Sequence, residues 1–341
     1  TGAAPVVQNT GVVLQLSGGG TPNFKDWRFM DMNFNGLSGP SSIGIAAEGG
    51  ADQITLLRMN IHHFHIGLLL SSYTLHFANG GGTAPHHVWD QISIADSTFT
   101  NFIGGSGGYG MYMSARRFSV LGSTVLDTSQ AEHGIRMPYG AKGMISNSTI
   151  GNAAPGKNAL TLRAPCWGGS GCDVLPVEGN TFTEQIVVSD NHLVGGNNDW
   201  TAHAGPQNQT ADERVRNVIF ERNLITSGPG TQVGLLIMAE SEVTIRNNII
   251  NTSGGLAHEC ISIFDWGAGP TPNQIRVFNN TCFSSNTDND FVFLSIDSQS
   301  TNVTVRNNLA YAPNDSQRAM IAGAGASGFS FDGTEGAGMC R

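Results

Sequence analysis

The stretch VTIRNNII at residues 243–250 decides the fold, because similar stretches recur along the chain. IRVFNNTC at 275–282 and VTVRNNLA at 303–310 repeat it, and VIFERNLI at 218–225 and ITLLRMNI at 54–61 are more distant versions. Each stretch is a short β-rich run that reaches an Asn or Ser and then a turn. Repeats of this kind are typical of a solenoid whose coils carry loops of different size.

One polar position of these stretches forms a column at spacings of 25 to 43 residues. In stacked coils, an Asn or Ser at a turn can hydrogen-bond its neighbours above and below, and so satisfy backbone groups that the turn leaves open. We therefore expect this column to be structural. Its members are Asn33, Asn60, Ser97, Ser123, Ser148, Asn191, Asn223, Asn248, Asn280 and Asn308.

The composition agrees with a protein made of strands and turns. The 341 residues include 45 glycines, and only 13% are charged, which favours many short strands over helices. No run of about 18 apolar residues is present, so we expect no membrane span. We predict one all-β domain over 1–341, with about ten coils over 10–312 and a C-terminal cap or tail over 313–341.

With its repeated turns and Asn column, the chain resembles the pectin-lyase-like superfamily of right-handed parallel β-helices from about residue 10 to 312. The resemblance implies the fold and leaves the reaction open. Motifs of the polygalacturonase and pectate lyase branches are not visible.

A second strand follows each turn, and its members are predicted to align from their first residues. They are GLLLS from Gly67, GMYMS from Gly110, GIRMP from Gly134, ALTLR from Ala159, GLLIM from Gly234, CISIF from Cys260 and FVFLS from Phe291. Side chains alternate along a strand. This register turns Met111, Met113, Ile135, Met137, Leu160, Leu162, Leu235, Ile237, Ile261 and Ile263 inward.

The intervening positions are predicted to face solvent. They are Tyr112, Ser114, Arg136, Pro138, Thr161, Arg163, Thr201, His203, Leu236 and Met238. Because adjacent coils lie about 4.8 Å apart, Tyr112, Arg136, Arg163 and His203 should form one strip within reach of a few sugar units.

Positive charge is concentrated around this strip. Residues 113–165 hold six of the 17 basic residues but two of the 26 acidic ones, in a chain of net charge −9. Such a local excess favours a polyanionic partner, and we expect an acidic polysaccharide rather than a nucleic acid. The further candidates are His133 and Lys157 beside the strip, and Arg116, Arg117, Tyr139, Lys142 and Thr161 as substrate-binding residues.

The segment NALTLRAP at 158–165, with VEGNTF at 177–182, resembles the alginate and chondroitin lyases of polysaccharide lyase family six. The resemblance implies that Arg163 is catalytic. That family's catalytic Lys lies on the preceding coil, where this chain has Pro138. Arg136, Lys142 or Lys157 would have to replace it.

The residue types also fit elimination across C4 and C5 of a uronic acid. This reaction needs a cation on the carboxylate, a base for the C5 proton and an acid for the leaving oxygen. Arg136 and Arg163 suit the first role, since Arg can clamp a carboxylate with two hydrogen bonds. The candidates for the base are Lys157 and His133, and those for the acid are Tyr112, Tyr139 and His203.

Two other functions stay open. A glycoside hydrolase needs two carboxylates about 5 to 9 Å apart, and the available acids are Asp199, Asp212, Glu213, Glu240, Glu242 and Asp265. A non-catalytic structural or adhesive β-helix is the third possibility, because the sheet edges at the coil ends allow self-association into fibres.

The cysteines and the first residues favour an extracellular protein. Cys166 and Cys172 are close enough for a local disulfide, while Cys260, Cys282 and Cys340 leave one thiol over. A start at Thr-Gly-Ala-Ala-Pro is typical of a mature end after removal of a signal peptide.

We expect no metal or cofactor from the sequence. No Cys and His spacing resembles a zinc site, and Ca²⁺ has no specific indication. A histidine-rich stretch is interpreted as surface residues rather than metal ligands; its members are His62, His63, His65, His76, His86 and His87.

Overall fold

Each coil of the protein contains up to three short strands, and strands of successive coils pair in parallel. The structure is a computed structural model that describes residues 5–17, 24–48, 51–70, 89–103, 108–127, 132–152, 158–165, 182–197, 200–206, 213–254, 259–265, 271–287, 291–314, 319–322, 330–332 and 335–337. The predicted all-β parallel β-helix is confirmed.

Three sheets run along the helix axis. The first sheet contains β2 (Val12–Ser17), β5 (Ile43–Glu48), β8 (Ile66–Leu70), β11 (Tyr109–Leu121), β13 (His133–Ser146), β15 (Asn158–Leu162), β18 (Trp200–Ala204), β21 (Val233–Ile237), β24 (Glu259–Ile263), β27 (Val292–Ile296) and β30 (Ala319–Ala322). The second contains β3 (Phe24–Met30), β6 (Ala51–Leu57), β9 (Trp89–Ala95), β16 (Phe182–Ser189), β19 (Arg214–Glu221), β22 (Ser241–Arg246), β25 (Arg276–Phe278), β28 (Thr304–Arg306) and β31 (Ser330–Asp332), and the ends of β11 and β13 continue into it.

The third sheet contains twelve strands among the described residues. They are β1 (Val6–Gln8), β4 (Asn33–Asn35), β7 (Asn60–His62), β10 (Thr98–Thr100), β12 (Thr124–Asp127), β14 (Thr149–Asn152), β17 (His192–Val194), β20 (Leu224–Thr226), β23 (Ile249–Asn251), β26 (Thr281–Phe283), β29 (Leu309–Tyr311) and β32 (Glu335–Ala337). β30, β31 and β32 add one strand to each of the three sheets beyond residue 312.

The core lies between the sheets and consists of like residues stacked on like. In the first sheet, Met111, Ile135 and Leu160 are in register, and all three are fully buried. All ten side chains that the sequence turned inward are buried in the main core. The register therefore follows the apolar alternation, because a slip of one residue would move every apolar side chain out of the core.

Residues in the left-handed backbone region bend each coil at two points, five residues apart. Asn and Asp tolerate this conformation better than most other side chains, which accounts for the ten Asn and Asp residues among these twenty positions. The pairs are Asp26 and Asp31, Gln53 and Arg58, Gln91 and Asp96, Arg117 and Gly122, Lys142 and Asn147, Gln185 and Asp190, Asn217 and Arg222, Glu242 and Asn247, Gln274 and Asn279, and Asn302 and Asn307.

The polar column is confirmed from Ser97 to Asn308 as a hydrogen-bonded ladder. At Asn248, the side-chain Oδ1 accepts from the backbone N and the Nδ2 of Asn223, both at 3.0 Å. Its Nδ2 donates to the carbonyl of Phe220 at 3.0 Å and to Oδ1 of Asn280 at 2.9 Å. The ladder therefore satisfies its own polar atoms and the turn backbone at the same time.

Two predicted members of the column are wrong. Asn33 and Asn60 align with Thr98 in the third sheet, one residue beyond the ladder. In the coil of Asn60, the ladder position belongs to Met59, whose backbone N donates to the Ser97 hydroxyl at 3.1 Å. The pattern misled because a polar residue follows the ladder position in several coils, so adjacent assignments look alike.

The alignment of the FVFLS segment is also wrong, by two residues. Leu294 pairs with Ile261, so Phe293 rather than Phe291 matches Cys260. Since side chains alternate every two residues, a slip of two leaves the faces unchanged and is invisible in the apolar pattern.

One disulfide joins Cys260 in β24 to Cys282 in β26, with Cα atoms 6.3 Å apart. Both cysteines are fully buried in the core. The predicted Cys166–Cys172 pair and Cys340 lie outside the described residues. Within the described part of the chain, no helix has the length and apolar character needed to cross a membrane.

Candidate active site

The outer face of the first sheet brings most of the predicted residues together. Tyr112 pairs in register with Arg136, Arg136 with Thr161, and Thr161 with His203. Arg163 lies two residues beyond Thr161, on the same side of the sheet. Arg136 and Arg163 therefore share one face, as the strand register predicts. We call Tyr112, His133, Arg136, Thr161, Arg163 and His203 the outer-face cluster.

The expected exposure of this cluster is wrong. Arg163 is 9% and Arg136 7% exposed, and His203 is completely buried. Alternation along a strand specifies the direction of a side chain, but not what packs over it. Four apolar side chains form a separate cluster away from the main core: Ile66, Leu69, Tyr109 and Tyr112.

His133 connects the two arginine-bearing strands. Its Nε2 lies 3.3 Å from Nη1 of Arg136, and its Nδ1 lies 3.5 Å from the Thr161 hydroxyl and 3.4 Å from the backbone N of Asn158. The backbone N–H of Asn158 is the donor in its contact with Nδ1 of His133. These contacts place His133 between Arg136 and the strand that carries Thr161.

Aromatic rings enclose Arg136 on the side of the preceding coil. Its guanidinium carbon lies 5.9 Å from the ring centre of Tyr109 and 6.0 Å from that of Tyr112. Tyr109 also stacks on His133 at 5.9 Å, and its hydroxyl donates to Glu132 at 3.0 Å. Cation–π contacts of this kind stabilise a desolvated arginine.

Arg163 is held by backbone oxygen atoms. Its Nη1 donates to the carbonyl of Pro206 at 2.5 Å, and its backbone N donates to the carbonyl of Met137 at 2.8 Å. Pro206 follows β18, so the strand that carries His203 also positions the guanidinium of Arg163.

His203 differs from the other members of the cluster. Neither ring nitrogen has a hydrogen-bond partner among the described residues, and Trp200 packs against the ring at 5.5 Å. Burial holds the pKa of His203 well below its usual value, and the charges of Arg163, His133 and Arg136 lower it further. The imidazole is therefore neutral near pH 7 and has a ring nitrogen free to accept a proton.

Space beside His203 depends on Gly205. A Cβ at this position would lie 3.1 Å from Nε2 of His203 and 2.6 Å from Cβ of Met238. A side chain at residue 205 would therefore crowd the imidazole, and glycine leaves that edge of the ring open.

Three predicted binding residues lie past the corner where β11 and β13 enter the second sheet. Arg117 forms an ion pair with Asp90, and Arg116 lies 3.6 Å from the same carboxylate. The Arg117 hydrogen bond lowers the pKa of Asp90. Lys142 is exposed beside this corner.

The last two predicted residues lie at the margin of the cluster or outside the described chain. Tyr139 is buried and pairs with Ser114, at a register shift between β11 and β13. Lys157 lies outside the described residues. Among the described residues, the positive charge of the cluster therefore comes from Arg136 and Arg163.

Sequence reasoning missed Tyr109, Asn158 and Trp200. Tyr109 aligns with His133, which aligns with Asn158, and the Asn158 side chain donates to the Trp200 carbonyl at 2.6 Å. Tyr109 and Asn158 immediately precede Gly110 and Ala159, which begin two of the predicted strand segments. Tyr109 is two residues before the inward-facing Met111, so alternation would have turned it inward, and only the structure places it in the outer apolar cluster.

The acidic residues considered for hydrolysis occupy a different place. Glu240 and Glu242 line an open cleft of about 530 Å³ at the corner between the first and second sheets. Arg214 pairs with Glu240 in the cleft, and Oε2 of Glu240 has no partner among the described atoms. Asp199 and Asp212 lie outside the described residues.

No group of three or more His, Cys, Asp and Glu in the described part of the chain is arranged to hold a metal ion. Of the predicted histidine-rich stretch, His62, His63 and His65 are described and lie around the end of β7. His76, His86 and His87 are outside the described residues.

No protein-family model matches the sequence, and no curated protein sequence is similar to it. Solved structures do share its fold. An alginate lyase from Paenibacillus sp. strain FPU-7 has a TM-score of 0.51 at 12% identity, covering 95% of this chain and 98% of that chain.

The catalytic domain of Agl-KA has a TM-score of 0.56 at 12% identity, covering 96% of this chain and 61% of that one. A double-mutant tailspike protein of E. coli bacteriophage HK620 has a TM-score of 0.52 at 8% identity, covering 96% and 56%. This chain thus spans about three fifths of these two structures. At such identities the likeness concerns the fold alone.

Proposed function

We propose that this protein is a secreted polysaccharide lyase that cleaves a uronate-containing glycan by β-elimination at the outer-face cluster. The observation that carries the proposal is the juxtaposition of two buried arginines with a neutral histidine that has no hydrogen-bond partner among the described residues. Buried polar groups normally have partners, and exceptions often mark functional sites. The similarity to an alginate lyase structure, named above, is consistent with this reaction class.

The arginines supply what the uronate carboxylate needs. When the C5 proton leaves, negative charge spreads onto the carboxyl group, and a preorganised cation in a dry site stabilises that charge most strongly. Arg163, held by the Pro206 carbonyl, is the principal neutralising group, and Arg136 is the second.

His203 is assigned as the base. A neutral imidazole takes the C5 proton, the C–H electron pair forms the C4–C5 double bond, and the C4–O4 bond breaks. The leaving oxygen takes its proton from water, because Tyr112 lies three strands from His203 in the register, about 14 Å at the usual strand spacing. The lowered pKa of His203 fits a base and disfavours the cationic acid considered from sequence.

The buried state of the cluster sets a requirement for this mechanism. Arg136 and Arg163 are slightly exposed to solvent, whereas the side chain of His203 is completely buried. Productive binding must therefore open the cluster enough for C5 to reach the imidazole, and the carboxylate meets the arginines first.

The experiment is a product assay on a panel of acidic polysaccharides that includes alginate, polygalacturonate and chondroitin sulfate. Elimination produces a C4–C5 double bond that absorbs in the ultraviolet, together with new reducing ends. We expect Arg163→Ala to keep its circular dichroism spectrum but to lose turnover by at least about 100-fold.

Arg117→Ala is the matched control, because that arginine pairs with Asp90 outside the cluster; it should stay within about twofold of the parent. Reducing ends without ultraviolet absorbance would exclude the lyase. Wild-type turnover in Arg163→Ala would exclude this site. Neither signal on any polymer would favour a non-catalytic structural protein.

Glycoside hydrolysis is the second candidate, and the cleft around Glu240 and Glu242 favours it. Hydrolysis requires two carboxylates around one bond, and this cleft contains two, whereas Glu132 is the carboxylate described beside the outer-face cluster. If the products lack the double bond, Glu240→Gln should abolish cleavage while Arg163→Ala retains it.

A further inference from the structure

Two neighbouring histidines lie with their rings in contact at the end of β7, in the third sheet. Nδ1 of His62 is 2.6 Å from Nδ1 of His63, and the ring centres are 4.8 Å apart at an interplanar angle of 76°. Both side chains are half-buried. This pair belongs to neither the outer-face cluster nor the Glu240 cleft.

Asn33 fixes the orientation of the first ring. Its side-chain Oδ1 lies 2.8 Å from Nε2 of His62. An amide oxygen only accepts, so Nε2 carries the hydrogen and Nδ1 of neutral His62 presents its lone pair to His63. Histidines that bind metals commonly donate their second ring N–H to an oxygen in the same way.

Adjacent coils hold the backbone of both histidines. Gly36 N donates to the His62 carbonyl at 3.0 Å, and Ser38 N donates to the His63 carbonyl at 3.2 Å. From the other side, His63 N donates to the Thr100 carbonyl at 3.3 Å. The two rings therefore project from a rigid support, which favours a preorganised site.

We propose that His62 and His63 form a two-histidine site for a divalent transition-metal ion such as Zn²⁺. At a zinc–nitrogen distance of about 2.0–2.1 Å, tetrahedral ligands lie roughly 3.4 Å apart. The rings must therefore separate by roughly 0.8 Å from their present contact. His63 then places its hydrogen on Nε2, and water completes the coordination.

The chemistry of the pair selects the ion. Imidazole nitrogens suit Zn²⁺, Cu²⁺ and Ni²⁺, whereas Ca²⁺ and Mg²⁺ prefer oxygen ligands. The pair lies in the third sheet, outside the outer-face cluster. Zinc binding is therefore independent of the proposed lyase reaction, and either proposal can fail without the other.

The test is isothermal titration calorimetry of the chelator-treated protein with Zn²⁺, and with Ca²⁺ as the contrasting ion. We expect one Zn²⁺ site that is lost in both His62→Gln and His63→Gln. Asn33→Ala should weaken Zn²⁺ binding by about 10- to 100-fold, because the tautomer of His62 is no longer fixed. Circular dichroism of each variant checks folding.

His192→Gln is the matched control, since this histidine of the third sheet contacts the Thr226 hydroxyl at 3.1 Å and lies apart from the pair. It should bind Zn²⁺ as the parent does. Absence of Zn²⁺ binding by the parent, or equal Zn²⁺ binding by the folded His62→Gln and His63→Gln variants, would overturn the proposal.

Discussion

The protein buries two sets of polar side chains, and they differ in how well their hydrogen bonds are satisfied. In the ladder, Asn248 uses its oxygen twice and its nitrogen twice. In the outer-face cluster, His203 makes no hydrogen bond with described residues, although it is equally buried. Trp200 beside it, and Ser114 in β11, also have polar atoms without partners among the described residues.

The difference separates scaffold from candidate site. A satisfied buried amide stabilises the fold, whereas an unsatisfied polar group costs about 1–3 kcal/mol. In the coils after His203, its column continues with Leu236 and Ser262, so the sheet does not require a histidine at this position. The ladder is expected to respond to mutation through stability, and the cluster through activity.

The largest expected effect is on catalysis, at His203. We expect His203→Leu, which extends the apolar residue of the next coil, to lower kcat by about 10²- to 10⁴-fold through loss of the general base. Its unfolding midpoint in urea should be no lower than that of the parent, because leucine removes an unsatisfied buried polar group. Ser262→Ala, in the same column, is the control and should retain activity; a similar loss in both variants would mean that the column acts structurally.

The ladder should give the opposite response. Asn248→Ala removes four hydrogen bonds and leaves the backbone N–H of Asn223 buried without its acceptor, so we expect a loss of about 3 kcal/mol of unfolding free energy. Urea denaturation measures it, with kcat determined well below the transition. The Asn251 oxygen caps only a local turn, so Asn251→Ala should reduce the unfolding free energy less. A large fall in kcat for folded Asn248→Ala would contradict a purely structural role of the ladder.

Acid should distinguish the parent from His203→Leu. The lowered pKa of His203 means that the unfolded chain binds this proton more readily than the folded one. Above about pH 6.5, His203 is neutral in both states and does not change the free energy of unfolding with pH. Below that pH, the free energy of unfolding decreases by up to about 1.4 kcal/mol per pH unit. Urea denaturation at pH 7 and pH 5 should therefore show a steeper loss in the parent. Equal losses would show that His203 titrates normally.

The smallest effect is expected at a serine of the ladder. The Ser123 hydroxyl accepts from Ser97 N at 3.2 Å and donates to the Leu121 carbonyl at 3.0 Å. Ser123→Ala should therefore cost about 1 kcal/mol, less than Asn248→Ala. Thermal unfolding of the two variants in parallel checks this order. A larger loss of stability in Ser123→Ala than in Asn248→Ala would contradict the idea that the loss follows the number of hydrogen bonds removed.

Several features of the candidate site were accessible from sequence. Stacking of like residues placed Arg136 and Arg163 on one face, because alternation and coil register are local properties. The same reasoning failed for exposure, since it treats every outward side chain as solvated. Arg117, a predicted binding residue, lies where the structure turns the chain, and it pairs with Asp90.

The sequence by itself determined the solenoid, its inward-facing residues and most of its polar ladder, because each depends on a period that repeats from coil to coil. Only the tertiary structure decided which polar residues are buried and which find partners. Burial of His203 and its lowered pKa depend on segments that no local period relates. Desolvation and charge–charge interactions act between such segments through space, and so they are set by the packed fold.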